Sequence, residues 1–139
     1  MSVIRDLLAD VAFRFGEVDS LGLADAMNRI EALDVPRSEV IPEVFRWMEE
    51  HGHQDLGTPG AAVHYLEDAE DYRPALEASW ARKPIAHTAW MINRIANGQT
   101  DESGLRHWID LLGQAQSHPL ADDVCKQQAA DFIALHTGR

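Results

Sequence analysis

The amino-acid sequence predicts an all-α protein of about eight helices, arranged either as HEAT-like stacked helix pairs or as an irregular helical bundle. Apolar residues recur at helical spacing in nearly every segment. No stretch combines apolar–polar alternation with many β-branched residues, as a strand would. The six prolines fall largely where helices are predicted to begin, a position at which proline is tolerated.

Three helices are predicted before residue 52. The first ends at Gly16, and its apolar stripe is Ile4, Leu7, Leu8, Val11 and Phe15. The second carries Leu23, Met27, Ile30 and Leu33. The third has Pro42 in its first turn, continues with Val44, Phe45 and Met48, and ends at His51-Gly52.

Two further helices follow a loop over residues 52–60. Thr58 is the predicted N-cap of the fourth helix and Pro59 its first helical residue. The apolar positions of the fourth helix are Ala62, Tyr65, Leu66 and Ala69. The fifth helix is predicted to begin near Pro74 and to carry Leu76 and Trp80.

The last three helices complete the predicted array. The sixth opens at Pro84, ends before Gly98 and has the stripe Ile85, Ala89, Ile92 and Ala96. The seventh carries Leu105, Trp108, Ile109 and Leu112. The eighth opens at Pro119 and carries Leu120, Val124, Phe132 and Leu135. Because Pro42, Pro84 and Pro119 are 42 and 35 residues apart, a weak helix-pair repeat is one interpretation, and an irregular bundle is the other.

Length and composition predict a single helical domain over residues 1–139. The chain is 45% hydrophobic, enough for a globular core. No apolar run has the length of a membrane span, and the N-terminus lacks the pattern of a signal peptide. One cysteine, Cys125, excludes an internal disulfide and fits a reducing compartment. We therefore expect a cytoplasmic protein.

The net charge points to a protein partner. Twelve Lys and Arg against 23 Asp and Glu give a net charge of −11. A domain this acidic repels phosphate backbones, so nucleic-acid binding is not expected. The same charge would steer a basic protein towards the surface, although solubility alone is the alternative explanation.

Two groups of residues are predicted to bind that partner. The first is a run of four acids at the end of the fourth helix, where carboxylates oppose the helix dipole: Glu67, Asp68, Glu70 and Asp71. The second lies off the apolar stripe of the sixth helix and comprises His87, Trp90 and Arg94. Tryptophan and arginine are frequent interface hot spots, but a solvated turn and a buried Trp90 are the respective structural alternatives.

Catalytic and metal sites find weaker support. His51-Gly52-His53-Gln54-Asp55 matches a zinc-ligand pattern, yet a helix precedes it and no further ligand follows. Cys125 lacks a sequence signature for a nucleophile and fits a small core residue. We therefore expect no enzyme activity, no metal and no other cofactor, and a hydrolase using His51, His53 and Asp55 is kept as an alternative.

Residues 55–98 resemble small helical immunity proteins of bacteria, which are often encoded beside polymorphic or contact-dependent toxins. The resemblance rests on Leu-Gly-Thr-Pro-Gly at 56–60, Arg-Lys-Pro at 82–84 and Trp-Met-Ile-Asn-Arg at 90–94. Ala61 and Ile85 depart from the proline and threonine of that pattern. The resemblance implies a helical fold and a protein partner, and it does not identify the toxin. A nuclease is the expected toxin class, because enzymes that bind nucleic acid tend to present basic surfaces. A general helical adaptor without a toxin is the alternative function.

Overall fold

The helical periodicity of the sequence corresponds to eight α-helices in the computed structural model, which describes residues 3–57, 60–69 and 72–138. The all-α prediction is confirmed. The helices are α1 (Val3–Ala9), α2 (Ser20–Glu31), α3 (Arg37–Glu50), α4 (Ala61–Asp68), α5 (Arg73–Arg82), α6 (Ala86–Asn97), α7 (Glu102–Gly113) and α8 (Asp123–Thr137). A two-stranded hairpin, β1 (Phe13–Arg14) and β2 (Glu17–Val18), and a 3₁₀ helix (Gln114–Ser117) complete the regular structure of these ranges. None of these helices combines the length and apolar character that crossing a bilayer requires.

The chain divides into two compact units, residues 1–78 (unit 1) and residues 79–139 (unit 2). In unit 1, α1 packs on α2 and α3, and α4 also packs on both. In unit 2, α6, α7 and α8 pack on one another. There the buried Trp80 donates an indole hydrogen bond of 2.6 Å to the carbonyl oxygen of Leu111. The prediction of one domain over residues 1–139 stays a prediction.

The first helix is shorter than predicted. It ends at Ala9, and the chain then forms the β1–β2 hairpin, in which Phe13 pairs with Val18 and Arg14 with Glu17. Phe15, predicted to be in the core, lies at the tip of this hairpin and is fully exposed. The prediction of no strands was therefore wrong at this one place, because two residues per strand are too few for an alternating pattern to register.

The starts of α3 and α4 also differ from the prediction. Helix α3 begins at Arg37 with Pro36 as its N-cap, so Pro42 lies inside the helix, where it removes one backbone hydrogen bond. Helix α4 begins at Ala61, and its N-cap is Gly60, not Thr58. Thr58 and Pro59 themselves lie outside the described residues. With Pro42 inside a helix, the proline spacing no longer supports a helical repeat.

The buried face of α8 is built from smaller residues than predicted. Cys125, Ala129 and Phe132 are buried at i, i+4 and i+7, whereas Val124 and Leu135 are exposed. Leu120, also predicted on this stripe, is exposed and precedes the helix, which starts after the N-cap Asp122. Small residues allow close packing of α8 on α6 and α7, so a stripe of large side chains is not required. The predicted α6 stripe, in contrast, is confirmed as buried: Ile85, Ala89, Ile92 and Ala96.

Candidate partner-binding surfaces

The net charge of the chain lies entirely in unit 1. Residues 1–78 contain 6 Lys and Arg and 17 Asp and Glu, and 6 − 17 gives −11. Residues 79–139 contain 6 of each, and 6 − 6 gives zero. The long-range electrostatic field of this chain therefore comes from unit 1. It would attract a basic molecule to that unit.

Local ion pairs neutralise only part of this charge. Arg5 forms a bidentate pair with Glu43 at 2.9 and 3.0 Å, which joins α1 to α3 and holds the pKa of Glu43 below its usual value. Arg29 pairs with Asp25 at 2.9 Å and Arg37 with Glu31 at 3.9 Å. Further carboxylates of unit 1 remain exposed to solvent, among them Asp6, Asp10, Glu17, Asp19, Asp34, Glu39, Glu50 and Asp68.

The predicted acidic run occupies the end of α4. Glu67 is half-buried, Asp68 is exposed and is the last helical residue, and Ala69 is the C-cap. Glu70 and Asp71 lie outside the described residues. The two described carboxylates thus stand in the last turn, where the partial charge of the helix end is negative and opposes them. A cation approaching this turn would be attracted by both contributions.

The second predicted group lies on α6 in unit 2. Trp90 is half-buried, and the guanidinium of the exposed Arg94 lies over its ring, 4.8 Å from the centroid. His87 is half-buried one turn earlier. Trp90 is therefore neither a fully buried core residue nor a free surface ring. Helix α6 offers a stacked aromatic–cation pair that a partner could contact, while the acidic run belongs to the other unit.

The predicted zinc-ligand pattern is spread over a helix end and a loop. His51 is the C-cap of α3 and stacks on Phe13, with ring centroids 4.5 Å apart. Burial lowers the pKa of His51 below its usual value, with a smaller opposing effect of Glu50. Asp55 accepts a hydrogen bond from the backbone N–H of Gly57 at 2.8 Å, and His53 is exposed. Among the described residues, no three His, Cys, Asp or Glu side chains are placed to hold one metal ion.

A groove beside His51 was not predicted from the sequence. Its volume is about 500 Å³, and Trp47 and His51 share its lining with the charged Arg5, Glu43, Arg46 and Glu50. The indole N–H of Trp47 is buried and has no hydrogen-bond partner in the described part of the chain. Three of these charged residues recur on one face of α3, at i, i+3 and i+7, which the sequence shows. Arg5 joins them only because α1 packs on α3, and that packing leaves no local sequence signal.

The hairpin tip is the second feature that sequence reasoning missed. Phe15 has a φ of 54° and Gly16 a φ of 78°, so both residues of the two-residue loop lie in the left-handed region. A phenylalanine in this region costs on the order of 1 kcal/mol. Its ring is fully exposed, so burial offsets none of that cost. The Phe-Gly dipeptide was a possible signal, because glycine commonly takes the second position of such turns.

Comparisons of the chain with protein-family models, curated proteins and solved structures found no match.

Proposed function

We propose that this chain is a bacterial immunity protein that binds a cognate toxin domain in the cytoplasm and neutralises it, without catalysis of its own. The toxin domain is basic, and a nuclease is the class that fits best, because enzymes that act on nucleic acid present basic surfaces to phosphate groups. The resemblance of residues 55–98 to immunity proteins motivates the toxin as partner.

The observation that carries the proposal is the uneven charge of the two units. Solubility alone does not require the net charge to reside in one unit. Here unit 1 has a net charge of −11 and unit 2 has none. Such a distribution supports an oriented approach, in which unit 1 meets the basic partner first.

The proposed mechanism is competition for a basic cleft. Carboxylates of unit 1, with Glu67, Asp68, Glu70 and Asp71 among them, take the place of the substrate's phosphates at the toxin's Lys and Arg side chains. Substrate is then excluded as long as the complex lasts. Longer-range attraction speeds formation of the complex, and well-packed apolar and aromatic contacts slow its dissociation.

The three residues of α6 are proposed as short-range contacts. The half-buried Trp90 and the Arg94 guanidinium stacked on it form a semi-rigid platform, with His87 beside it on the same helix. Because tryptophan and arginine lose little freedom when already stacked, they suit a contact that holds the complex together.

Co-expression tests the proposal most simply. Bacteria that produce the toxin domain encoded next to this chain should grow when the chain is present and die when it is absent. A catalytically inactive toxin domain should form a stoichiometric complex with the chain. A matched control uses an unrelated toxin of similar basicity, against which no protection is expected. If the chain neither binds nor protects against a neighbouring toxin, the immunity function is wrong and the adaptor alternative takes its place.

A further inference from the structure

We propose that Phe15 is the anchor by which unit 1 holds its partner, and that it enters an apolar pocket flanked by Lys or Arg side chains on a basic protein. The inference rests on the proposed function and names the contact that this function needs at short range. It assigns a role to a residue that contributes nothing to the core of the chain.

The turn geometry indicates that Phe15 does not stabilise the fold. With φ values of 54° and 78°, the Phe15-Gly16 loop matches the hairpin turn in which both central residues are left-handed. Asparagine, aspartate or glycine suits the first position of that turn, and a bulky aromatic residue is strained there. Phe15 has a relative exposure of 104%, so its side chain gains no burial in return. Strain and exposure together indicate that the ring has its role in a complex, where it contacts a partner.

The tip is fixed in place by backbone hydrogen bonds. The N–H of Asp55 donates to the carbonyl oxygen of Gly16, and the N–H of Val18 donates to that of Asp55, both at 2.8 Å. The N–H of Asp19 donates to the carbonyl oxygen of Ala12, also at 2.8 Å. The loop after α3 therefore braces the hairpin from one side. A ring that is already positioned loses little conformational entropy on binding, which favours its use as an anchor.

The surroundings of Phe15 define the chemistry of the partner. Glu17 and Asp19 are exposed and line a hollow of about 430 Å³ together with Arg14 and the Phe15 ring. Leu21, 85% exposed in the first turn of α2, adds apolar surface in the same segment. The complementary surface is an apolar pocket with basic residues at its rim.

Charge selects a basic protein over other occupants of this surface. An anionic lipid surface would repel a unit of net charge −11, and a second copy of unit 1 would carry the same charge. A basic protein surface gains from the same carboxylates. The apolar ring and its acidic rim are therefore consistent with one partner, the basic domain that the proposed function requires.

The test replaces the ring while keeping the turn. Phe15→Asn places a residue that favours this turn at its first position, so the melting temperature should stay the same or rise. The probe is the catalytically inactive toxin domain encoded next to the chain. We expect the dissociation constant to rise about 30-fold or more, mainly through faster dissociation, as for a hot-spot residue. The control is Leu135→Gln, which removes a 76% exposed apolar side chain from α8 of unit 2 and should leave the affinity unchanged.

A second variant separates the rim from the anchor. Glu17→Gln with Asp19→Asn keeps Phe15 and removes two carboxylates from its rim. This variant should slow association at low salt and leave the dissociation rate close to that of the wild type. A change in the dissociation rate as large as that of Phe15→Asn would contradict the division of roles between ring and rim.

The other outcomes contradict the role of Phe15 as an anchor, and one of them also contradicts the immunity function. Wild-type affinity in Phe15→Asn overturns the anchor and leaves the immunity function standing. Absence of any wild-type binding to the toxin domain overturns both. Phe15-dependent sedimentation with zwitterionic or anionic phospholipid vesicles would make the ring a membrane contact, and Phe15-dependent dimerisation in analytical ultracentrifugation would make it a self-association contact. Either result contradicts the proposal.

Discussion

The backbone N–H of Asp55 donates a 2.8 Å hydrogen bond to the carbonyl oxygen of Gly16, which ties the loop after α3 to the hairpin tip. The Asp55 side chain is occupied as well, because Oδ1 accepts from the N–H of Gly57 at 2.8 Å. Asp55, which belongs to the zinc-ligand pattern of the sequence, therefore has a structural role. It holds in place the loop that braces Phe15 and Gly16.

Stability should accordingly be independent of metal. Among the described residues, no cluster of three ligands forms around His51, His53 and Asp55, so a chelator has no binding energy to remove from the folded state. Thermal unfolding of the purified protein with and without EDTA should give the same melting temperature. A marked drop with EDTA that zinc reverses would contradict this structural role and revive the hydrolase alternative.

Stability should fall in mild acid because of His51. Burial lowers the pKa of the folded His51 below 6.5, so the folded state favours the neutral ring. The unfolded state therefore binds a proton first as the pH falls, and stability is lost from about pH 6.5 downward, through the folded pKa. His51→Gln should remove this part of the pH dependence, measured by urea unfolding at about pH 8 and about pH 5.

The control for that measurement is His64→Gln, which should retain the wild-type pH dependence. It removes an exposed histidine of α4, whereas His53 is unsuitable because its charge contributes to the lowered pKa of His51. Equal slopes for wild type and His51→Gln would contradict the assignment of the effect to the buried ring.

Cys125 should be unreactive in the folded protein. Its side chain is fully buried in α8, and burial raises the pKa of the thiol to about 12. Because the thiolate is the reactive form, almost none is present at about pH 8. Ellman's reagent should label Cys125 only after unfolding in guanidinium. Rapid stoichiometric labelling of the native protein would show that α8 does not shield this residue.

The sequence predicted the helices well wherever large apolar residues marked a full stripe. The α6 stripe from Ile85 to Ala96 is buried as expected, and His51 ends α3. The α8 face was misassigned because the pattern gave weight to Val124 and Leu135, while the close packing uses Cys125 and Ala129. Periodicity records which residues are apolar, but it does not record how closely two helices approach.

The candidate surfaces were predictable only in part. The acidic run was correctly placed at the end of α4 as far as the described residues reach, at Glu67 and Asp68. Phe15 was assigned to the core because it continues the spacing of a helix that in fact ends at Ala9. The location of the net charge in unit 1 can be recognised only once the chain is divided after Ala78. That division follows from tertiary contacts and not from composition.

The kinetics of binding to the catalytically inactive toxin domain test the central claim most directly. One variant removes the acidic run by the changes Glu67→Gln, Asp68→Asn, Glu70→Gln and Asp71→Asn. The matched control removes four carboxylates from unit 2 by the changes Glu102→Gln, Asp110→Asn, Asp123→Asn and Asp131→Asn. Both variants lose the same formal charge, one from unit 1 and the other from unit 2. The melting temperature of the control is measured as well, because Glu102 and Asp123 lie in the first turns of α7 and α8, where acids favour the helix.

If unit 1 steers the encounter, the first variant should associate about tenfold more slowly at low salt and depend less on salt, with circular dichroism and melting temperature close to the wild type. The control should associate within about twofold of the wild-type rate. Equal association rates for the two variants, or wild-type binding that is insensitive to salt, would contradict the claim that the charge of unit 1 recognises the partner.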